Sequence, residues 1–81
     1  MNPRVELVQV ESPHTLLVTF TNKEVKAFDV APYLSYPVYQ ALKDESYFKR
    51  ARVFNGTVIW DESIDFDPDT LYLEGAPRHT A

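Results

Sequence analysis

Cysteine is absent from this 81-residue chain. Its absence excludes disulfide bonds, thiolate zinc sites and cysteine nucleophiles together. A chain that folds without disulfides suits a reducing compartment, because disulfides persist mainly in oxidising ones. We therefore expect a cytoplasmic protein.

Long apolar runs are also lacking. No stretch approaches the ~20 apolar residues that a membrane-spanning helix needs. Near the start of the chain, Arg4, Glu6 and Glu11 separate short apolar runs, which is not the pattern of a secretory signal peptide. The sequence therefore predicts no membrane partner.

Positive charge is in short supply. Twelve acidic residues against eight basic ones give a net charge of −4. A protein that holds nucleic acid by its phosphates normally presents a basic face. Four basic residues do fall close together and offer an alternative, a phosphate-binding patch: Lys43, Lys49, Arg50 and Arg52. The overall acidity favours a solvated basic face, so nucleic acid is not expected to bind this chain alone.

Glycine and histidine are too few to build a familiar catalytic or cofactor site. The two glycines, Gly56 and Gly75, are both explained by turns, which excludes a glycine-rich phosphate loop. His14 and His79 lack metal-ligand spacing and a plausible serine partner, so both are expected to be solvated. We expect no cofactor and no catalytic residues, and hence no enzyme.

The first part of the chain is predicted to form three strands. Val5–Glu11 is rich in β-branched residues, but its apolar positions change parity, which indicates a β-bulge or burial on both faces. Residues 15–21 alternate cleanly and give the clearest strand.

A hairpin is expected to connect the second and third strands. Asparagine tolerates positive φ, so Asn22-Lys23 is a plausible two-residue turn. That turn would pair Phe20 with Val25. The same register would place Leu17 opposite Phe28, on the face that points away from the predicted core.

Residues 32–50 show a helical pattern. Pro37 suits a first helical turn, where its missing N–H costs nothing. Asp44 can cap a second short turn. Three apolar residues are spaced to share one helix face: Val38, Ala41 and Leu42.

A second hairpin is predicted around Asn55-Gly56, because a type I′ turn needs positive φ at both central positions. A two-residue turn there pairs Phe54 with Thr57 and Arg52 with Ile59. These four side chains share one face. The other face is apolar and consists of Ala51, Val53, Val58 and Trp60.

The last element is a short helix that begins at Asp67-Pro68, an N-cap followed by a proline in the first turn. Gly75 is expected to end it in a left-handed conformation. The elements together predict an α+β fold, an antiparallel sheet of about five strands in β-β-β-α-β-β-α order with short helices packed on it. Residues 1–75 are expected to form a single domain and residues 76–81 a flexible tail.

The second half of the chain also resembles a known family. The similarity is carried by Tyr47-Phe48, Arg52-Val53, the run from Asn55 to Trp60, Ile64-Asp65, Asp67-Pro68 and Thr70-Leu71-Tyr72. These residues are similar to the small bacterial proteins known as domain of unknown function 2442. The resemblance covers most of the chain and is most specific over residues 47–75.

The resemblance implies a prokaryotic, cytoplasmic protein with no established activity and no catalytic residues to carry over. Some members of the family resemble partners in toxin–antitoxin gene pairs. Others carry a helix-turn-helix domain after this one, which makes an accessory role beside a DNA-binding domain an alternative. The present sequence ends at Ala81 without such a domain, so we do not expect DNA binding from it.

Both hairpins are predicted to carry apolar side chains on two faces. A chain of this size has a thin core, so either loops cover the second face or that face binds a protein. We hypothesise a non-enzymatic interaction or regulatory module, antitoxin-like, whose partner is another protein or a second copy in a homodimer. Trp60 is expected to anchor the core, but tryptophan is also enriched in binding hot spots. The proposed interaction residues are Leu17, Phe28, Phe54, Ile59, Arg52 and Trp60.

The acidic stretch 61–69 supports a further alternative, a small-ligand or divalent-metal binder. Asp65, Asp67 and Asp69 alternate as ligands do in a calcium loop. Calcium needs about six to eight oxygens, a glycine turn and a terminal bidentate carboxylate. The last two are missing at the required spacing. The three aspartates are therefore weak metal candidates, and capping or an acidic surface is favoured.

Overall fold

The computed structural model describes residues 2–11, 13–61 and 63–78. In these residues the strands are β1 (Val5–Glu11), β2 (Thr15–Phe20), β3 (Val25–Asp29), β4 (Arg52–Phe54), β5 (Thr57–Asp61), β6 (Ile64–Phe66) and β7 (Ala76–Pro77). The α-helices are α1 (Glu45–Phe48) and α2 (Pro68–Glu74). Two 3₁₀ helices span Ala31–Tyr33 and Pro37–Lys43.

The strands form two antiparallel sheets. The first has the order β1-β2-β3-β7 and the second the order β4-β5-β6. The predicted α+β class with antiparallel strands and short helices is confirmed. The division into two sheets was not foreseen, because β6 and β7 contain only three and two residues. Strands this short show too little alternation to be recognised in a sequence.

A β-bulge in β1 explains the change of parity along this strand. The pairing with β2 shifts between Val5 and Leu7. Val5 and Val8 therefore both point inward, and Leu7 is left 58% exposed on the outer face. Of the two explanations offered by the sequence, the bulge is correct.

The β2–β3 hairpin differs by one residue from the predicted register. Its loop has three residues rather than two, since the Lys23 N–H donates to the Phe20 carbonyl and the Phe20 N–H donates to the Glu24 carbonyl, both at 2.9 Å. Lys23 takes the positive φ of 74° that such loops require at their last position. As a result, Phe28 pairs with Leu16 rather than Leu17. A slip of one residue moves a side chain to the other face, so Phe28 points into the core.

The β4–β5 hairpin confirms its predicted register. Phe54 pairs with Thr57 and Arg52 with Ile59. Asn55 and Gly56 have φ of 52° and 75°, as a type I′ turn demands.

The segment between β3 and β4 is helical as expected, but it is mostly 3₁₀ helix rather than α-helix. Leu42 is fully buried, whereas Val38 is 52% exposed, because a 3₁₀ helix has three residues per turn and does not align positions four apart. Asp44 caps α1 as predicted, accepting a hydrogen bond from the Ser46 N–H at 3.0 Å.

Helix α2 begins as predicted and ends differently. Asp67 caps it by accepting a hydrogen bond from the Thr70 N–H at 2.7 Å. Gly75 does not adopt the predicted left-handed conformation; its φ is −73°. Glycine is needed there for space, because a Cβ at this position would lie 2.6 Å from the Leu71 carbonyl oxygen and 3.0 Å from Cβ of Lys26.

The predicted flexible tail is partly wrong. Ala76 and Pro77 form β7, which pairs with Ala27 and Lys26 of β3. Two residues at a sheet edge carry no recognisable strand pattern, so the sequence could not indicate this pairing. Residues 79–81 of the predicted tail, and with them His79, lie outside the described residues.

The inner faces of the two sheets share one core. Phe28 of the first sheet packs edge-to-face on Phe66 of the second, with ring centroids 5.1 Å apart. The sheets also meet where the Val5 N–H donates to the Gly56 carbonyl at 3.0 Å. The buried apolar residues are Val5, Leu16, Val18, Phe20, Phe28, Val30, Leu42, Phe48, Val58, Trp60, Ile64, Phe66 and Leu71. Nowhere in the described residues does a helix reach the length and apolarity that crossing a membrane requires.

Candidate functional site

The outer face of the second sheet is the candidate site. It carries Phe54, which is the most exposed apolar side chain among the interaction residues that the sequence predicts. We call it the β4–β6 face, and it consists of Arg52, Phe54, Thr57, Ile59, Asp61 and Asp65. These residues point away from the core because their neighbours along β4 and β5, such as Val58 and Trp60, are buried and side chains alternate along a strand. A cavity of about 500 Å³ opens on this face.

The apolar part of the β4–β6 face is Phe54 together with Ile59. Phe54 is 59% exposed, and Ile59 is half-buried beside it. Both line the cavity. An exposed phenylalanine beside a half-covered isoleucine leaves apolar surface in contact with water, and its removal from water would be favourable.

Charges of both signs flank this apolar part. Arg52, Ile59 and Asp65 lie side by side on three adjacent strands, so the row runs from positive through apolar to negative. The Arg52 guanidinium also donates to the Trp60 carbonyl at 3.3 Å.

Asp61 is the most strongly hydrogen-bonded carboxylate of the face. It accepts from the Tyr47 hydroxyl, and from the Ser63 N–H and hydroxyl at 2.8 and 2.9 Å. The tyrosine hydrogen bond, followed by those from Ser63, lowers the pKa of Asp61 below its ordinary value. The same hydrogen bond raises the pKa of Tyr47. Asp61 therefore carries a negative charge at neutral pH.

The predicted interaction residues do not all come together. Arg52, Phe54 and Ile59 share the β4–β6 face. Leu17 lies on the outer face of the other sheet, half-buried, where it lines a cavity of about 330 Å³ with Leu7 and others.

Two of the predicted interaction residues belong to the core, so their assignment to a surface is corrected. Phe28 is 1% exposed because the β2–β3 register differs by one residue from the predicted one. Trp60 is 2% exposed, and its indole N–H donates to the Phe48 carbonyl at 2.9 Å. Trp60 is thus the core anchor that the sequence also indicated.

The three aspartates of the acidic stretch make different contacts. Asp65 lies on the β4–β6 face, Asp67 caps α2, and Asp69 accepts a hydrogen bond from the Asn2 side chain at 3.3 Å. Within residues 2–11, 13–61 and 63–78, no three histidine or acidic side chains converge as a metal site would require.

His14 is packed rather than solvated. Its ring lies 5.1 Å from the Phe48 ring, and the residue is half-buried. Its Nε2 is buried, and no described group forms a hydrogen bond with it. His14 adopts a φ of 40° in the turn between β1 and β2.

A second cleft, which the sequence analysis missed, lies beside the 3₁₀ helices. We call it the tyrosine cleft. Tyr33 lies at its centre, with the Tyr36 and Tyr39 rings 6.1 and 6.0 Å away and the Phe66 ring 5.2 Å away. The tyrosines recur every third residue, and Tyr36 connects the two 3₁₀ helices with an extended backbone. This three-residue spacing is the local signal of the cleft, and it differs from the α-helical period expected for the segment.

Tyr33 divides the tyrosine cleft into two cavities of about 350 and 330 Å³. Its hydroxyl donates to the Glu74 carboxylate, and this hydrogen bond is the main reason that the pKa of Tyr33 rises to about 12. Burial, followed by the charges of Asp65 and Asp67, raises the pKa of Tyr39. Tyr33 and Tyr39 therefore stay neutral at physiological pH beside several carboxylates.

Comparison with known proteins gives one match. No curated protein and no solved structure matches the sequence. The sequence model of a family described as "Protein of unknown function (DUF2442)" matches residues 5–77. Because that match spans nearly the whole chain, including both sheets and both α-helices, the chain belongs to the DUF2442 family.

Proposed function

We propose that this chain is a non-enzymatic interaction module that binds a partner protein through the β4–β6 face. The observation that carries the proposal is Phe54, 59% exposed above a cavity of about 500 Å³ that Ile59 also lines. Full burial of a phenylalanine side chain contributes about 1.5–3 kcal/mol. Aromatic anchors of this kind supply much of the energy of protein interfaces.

The charges around Phe54 suit orientation rather than catalysis. Arg52 and Asp65 lie at opposite sides of Ile59, and charges at the rim of an interface mainly determine the approach and register of a partner. The pKa of Asp61 is lowered by the Tyr47 hydroxyl. A carboxylate with a lowered pKa is a weak general base at neutral pH.

The size of the face favours a different protein over a second copy. The three strands contain three, five and three residues. At ~4.8 Å between strands and ~3.3 Å per residue, they present roughly 170 Å². A stable complex buries about 800 Å² on each partner. The row from Arg52 to Asp65 is self-complementary about a two-fold axis, which makes a weak homodimer the second candidate. A stable partner must extend beyond the face.

We infer that the partner is encoded beside this chain in a bacterial genome and that both act in the cytoplasm, in an antitoxin-like or regulatory pair. The support is the resemblance of some family members to such pairs, together with an acidic chain that lacks cysteine.

Co-expression with the product of the adjacent gene tests the proposal. The wild-type chain is expected to co-purify with that product. Phe54→Ser should weaken the complex about tenfold or more, because it removes the anchor. Leu7→Ser is the matched control, since Leu7 is 58% exposed on the other sheet. Equal binding by the wild type and Phe54→Ser, with light scattering showing a monomer at all concentrations, would contradict both candidates.

A further inference from the structure

Three tyrosines of this chain donate their hydroxyls to carboxylates. Tyr72 donates to Glu24, Tyr47 to Asp61, and Tyr33 to Glu74. Each pair places an aromatic ring beside a negative charge. A ring face and a carboxylate together attract a cation more strongly than either group alone.

Two of the three pairs already have a cation from the chain itself. Lys26 Nζ lies 3.7 Å from the centroid of the Tyr72 ring and donates to the Tyr72 carbonyl at 2.6 Å. The Arg50 guanidinium carbon lies 5.7 Å from the centroid of the Tyr47 ring. In the described part of the chain, no lysine or arginine takes the corresponding place at Tyr33.

The surroundings of Tyr33 are open and negative. Tyr33 and Glu74 line both cavities of the tyrosine cleft. Asp29 adds a carboxylate to the first cavity, while Asp65 and Asp67 add two to the second. Among the described residues, those that line the two cavities include no lysine, arginine or histidine. Tyr36, at the rim of the first cavity, is 54% exposed and leaves its ring available.

We propose that the tyrosine cleft binds arginine side chains from a basic segment of a partner protein. A partner's cation takes the place at the Tyr33 ring that Lys26 takes at the Tyr72 ring, and it lies beside the Glu74 carboxylate that accepts from Tyr33. The two cavities on either side of Tyr33 each accept one cationic side chain.

Charge and shape select this occupant. Nucleic acid is excluded because its phosphates would face four carboxylates. A guanidinium is planar, so it can stack on a tyrosine ring while its N–H groups reach a carboxylate. A polyamine has the charge without the planar group. The proposal does not depend on Phe54, which lies outside both cavities.

Calorimetric titration of the full-length chain with acetylated, amidated tetra-arginine tests the proposal at about 50 mM salt, where screening is modest. The matched neutral probe is tetra-citrulline, which keeps the shape and loses the charge. Tetra-arginine is expected to bind about tenfold more tightly than tetra-citrulline or spermine. Glu74→Gln keeps a hydrogen-bond acceptor for Tyr33 and removes the charge, so it should weaken binding about fivefold. Tyr36→Ser should weaken it about threefold.

Two controls separate a specific site from general acidity. Glu45→Gln removes one exposed carboxylate of α1 and changes the net charge as Glu74→Gln does, but it should change the affinity less than about twofold. Phe54→Ser should leave peptide binding unchanged. The proposal is overturned if tetra-arginine does not bind, if spermine binds as tightly, or if Glu45→Gln weakens binding as much as Glu74→Gln. Circular dichroism confirms that each variant is folded.

Discussion

The two hairpins of this protein place Phe28 and Phe54 in opposite environments. In the β2–β3 hairpin, the three-residue loop ending at Lys23 leaves Phe28 1% exposed. In the β4–β5 hairpin, the two-residue Asn55-Gly56 turn leaves Phe54 59% exposed. Because side chains alternate along a strand, one residue in a loop decides whether an aromatic ring joins the core or the surface.

The comparison shows that the loop length of each hairpin determines which side chains of its strands are buried. A core phenylalanine contributes stability, and an exposed one contributes a binding surface at some cost in solubility. The β2–β3 loop thus supplies the side chain that joins the two sheets, and the β4–β5 turn supplies the proposed anchor for a partner.

The largest expected effect is a contrast in stability between the two phenylalanines. Phe28→Ala should lower the free energy of unfolding by about 3–5 kcal/mol, since it leaves a cavity against Phe66. Phe54→Ala should change it by less than about 0.5 kcal/mol. Urea denaturation measures both.

Phe28→Ala is expected to leave a chain of this size close to unfolding, so a milder variant is also needed. Phe28→Leu should cost about 1–1.5 kcal/mol. If Phe54→Ala destabilised the protein as much as Phe28→Leu, the β4–β6 face would have to be covered in the free chain, and the proposed anchor would be lost.

The next effect concerns the turns themselves. Gly56→Ala should destabilise the protein by about 1–2 kcal/mol, because Gly56 has a φ of 75° that a Cβ disfavours. Lys23 has almost the same φ of 74°. Lys23→Gly relieves strain there but gives up the exposed Lys23–Glu6 ion pair at 3.1 Å, so its net effect should stay within about 0.5 kcal/mol.

Thermal unfolding of Gly56→Ala and Lys23→Gly measures this difference in stability between the two turns. Glu6→Gln serves as the control for Lys23→Gly, because it removes the same ion pair and leaves the backbone unchanged. A neutral Gly56→Ala would indicate that the β4–β5 turn does not need its left-handed conformation, and the register that exposes Phe54 would no longer be explained.

The smallest effect is on the carboxylates that tie each hairpin to a helix. Tyr72 of α2 lowers the pKa of Glu24, and Tyr47 of α1 lowers the pKa of Asp61. A carboxyl whose pKa is lowered by folding stabilises the protein above its ordinary pKa, and that contribution disappears as the pH falls through the lowered value. Tyr72→Phe and Tyr47→Phe should each raise the pKa of the partner carboxyl towards its ordinary value.

Carbon-detected NMR titration of the two carboxyl groups reads this shift directly. Each variant is the control for the other, because the hydrogen bonds belong to different hairpins. A pKa of Asp61 that does not move in Tyr47→Phe would mean that Ser63 alone holds this carboxylate in its charged form.

The sequence predicts the fold well where local chemistry is decisive. Asn55-Gly56 determines its turn type by itself, Asp44 and Asp67 cap their helices, and the parity change in β1 indicates its bulge. The β2–β3 register is different. Asn22-Lys23 permits more than one loop length, and the choice between them depends on packing of Phe28 that only the folded chain provides.

Of the two candidate surfaces, the sequence predicts the residues of the β4–β6 face but not the tyrosine cleft. Arg52, Phe54 and Ile59 follow directly from the register of a well-determined hairpin. The tyrosine cleft combines residues from the 3₁₀ segment, β6 and α2, and no local pattern reports contacts between elements so far apart in sequence. Only the three-residue spacing of Tyr33, Tyr36 and Tyr39 gave a local indication.

Trp60 has a practical consequence for all of these experiments. It is the single tryptophan of the chain, and it is enclosed by Phe48 and Phe66 with its indole N–H bound to a carbonyl. Its fluorescence therefore comes from one defined interior position and reports on the integrity of the interior without any attached dye. Neither Phe54 nor Tyr36 touches that position. A variant at either residue that binds less but keeps the wild-type emission spectrum has therefore lost binding and not structure.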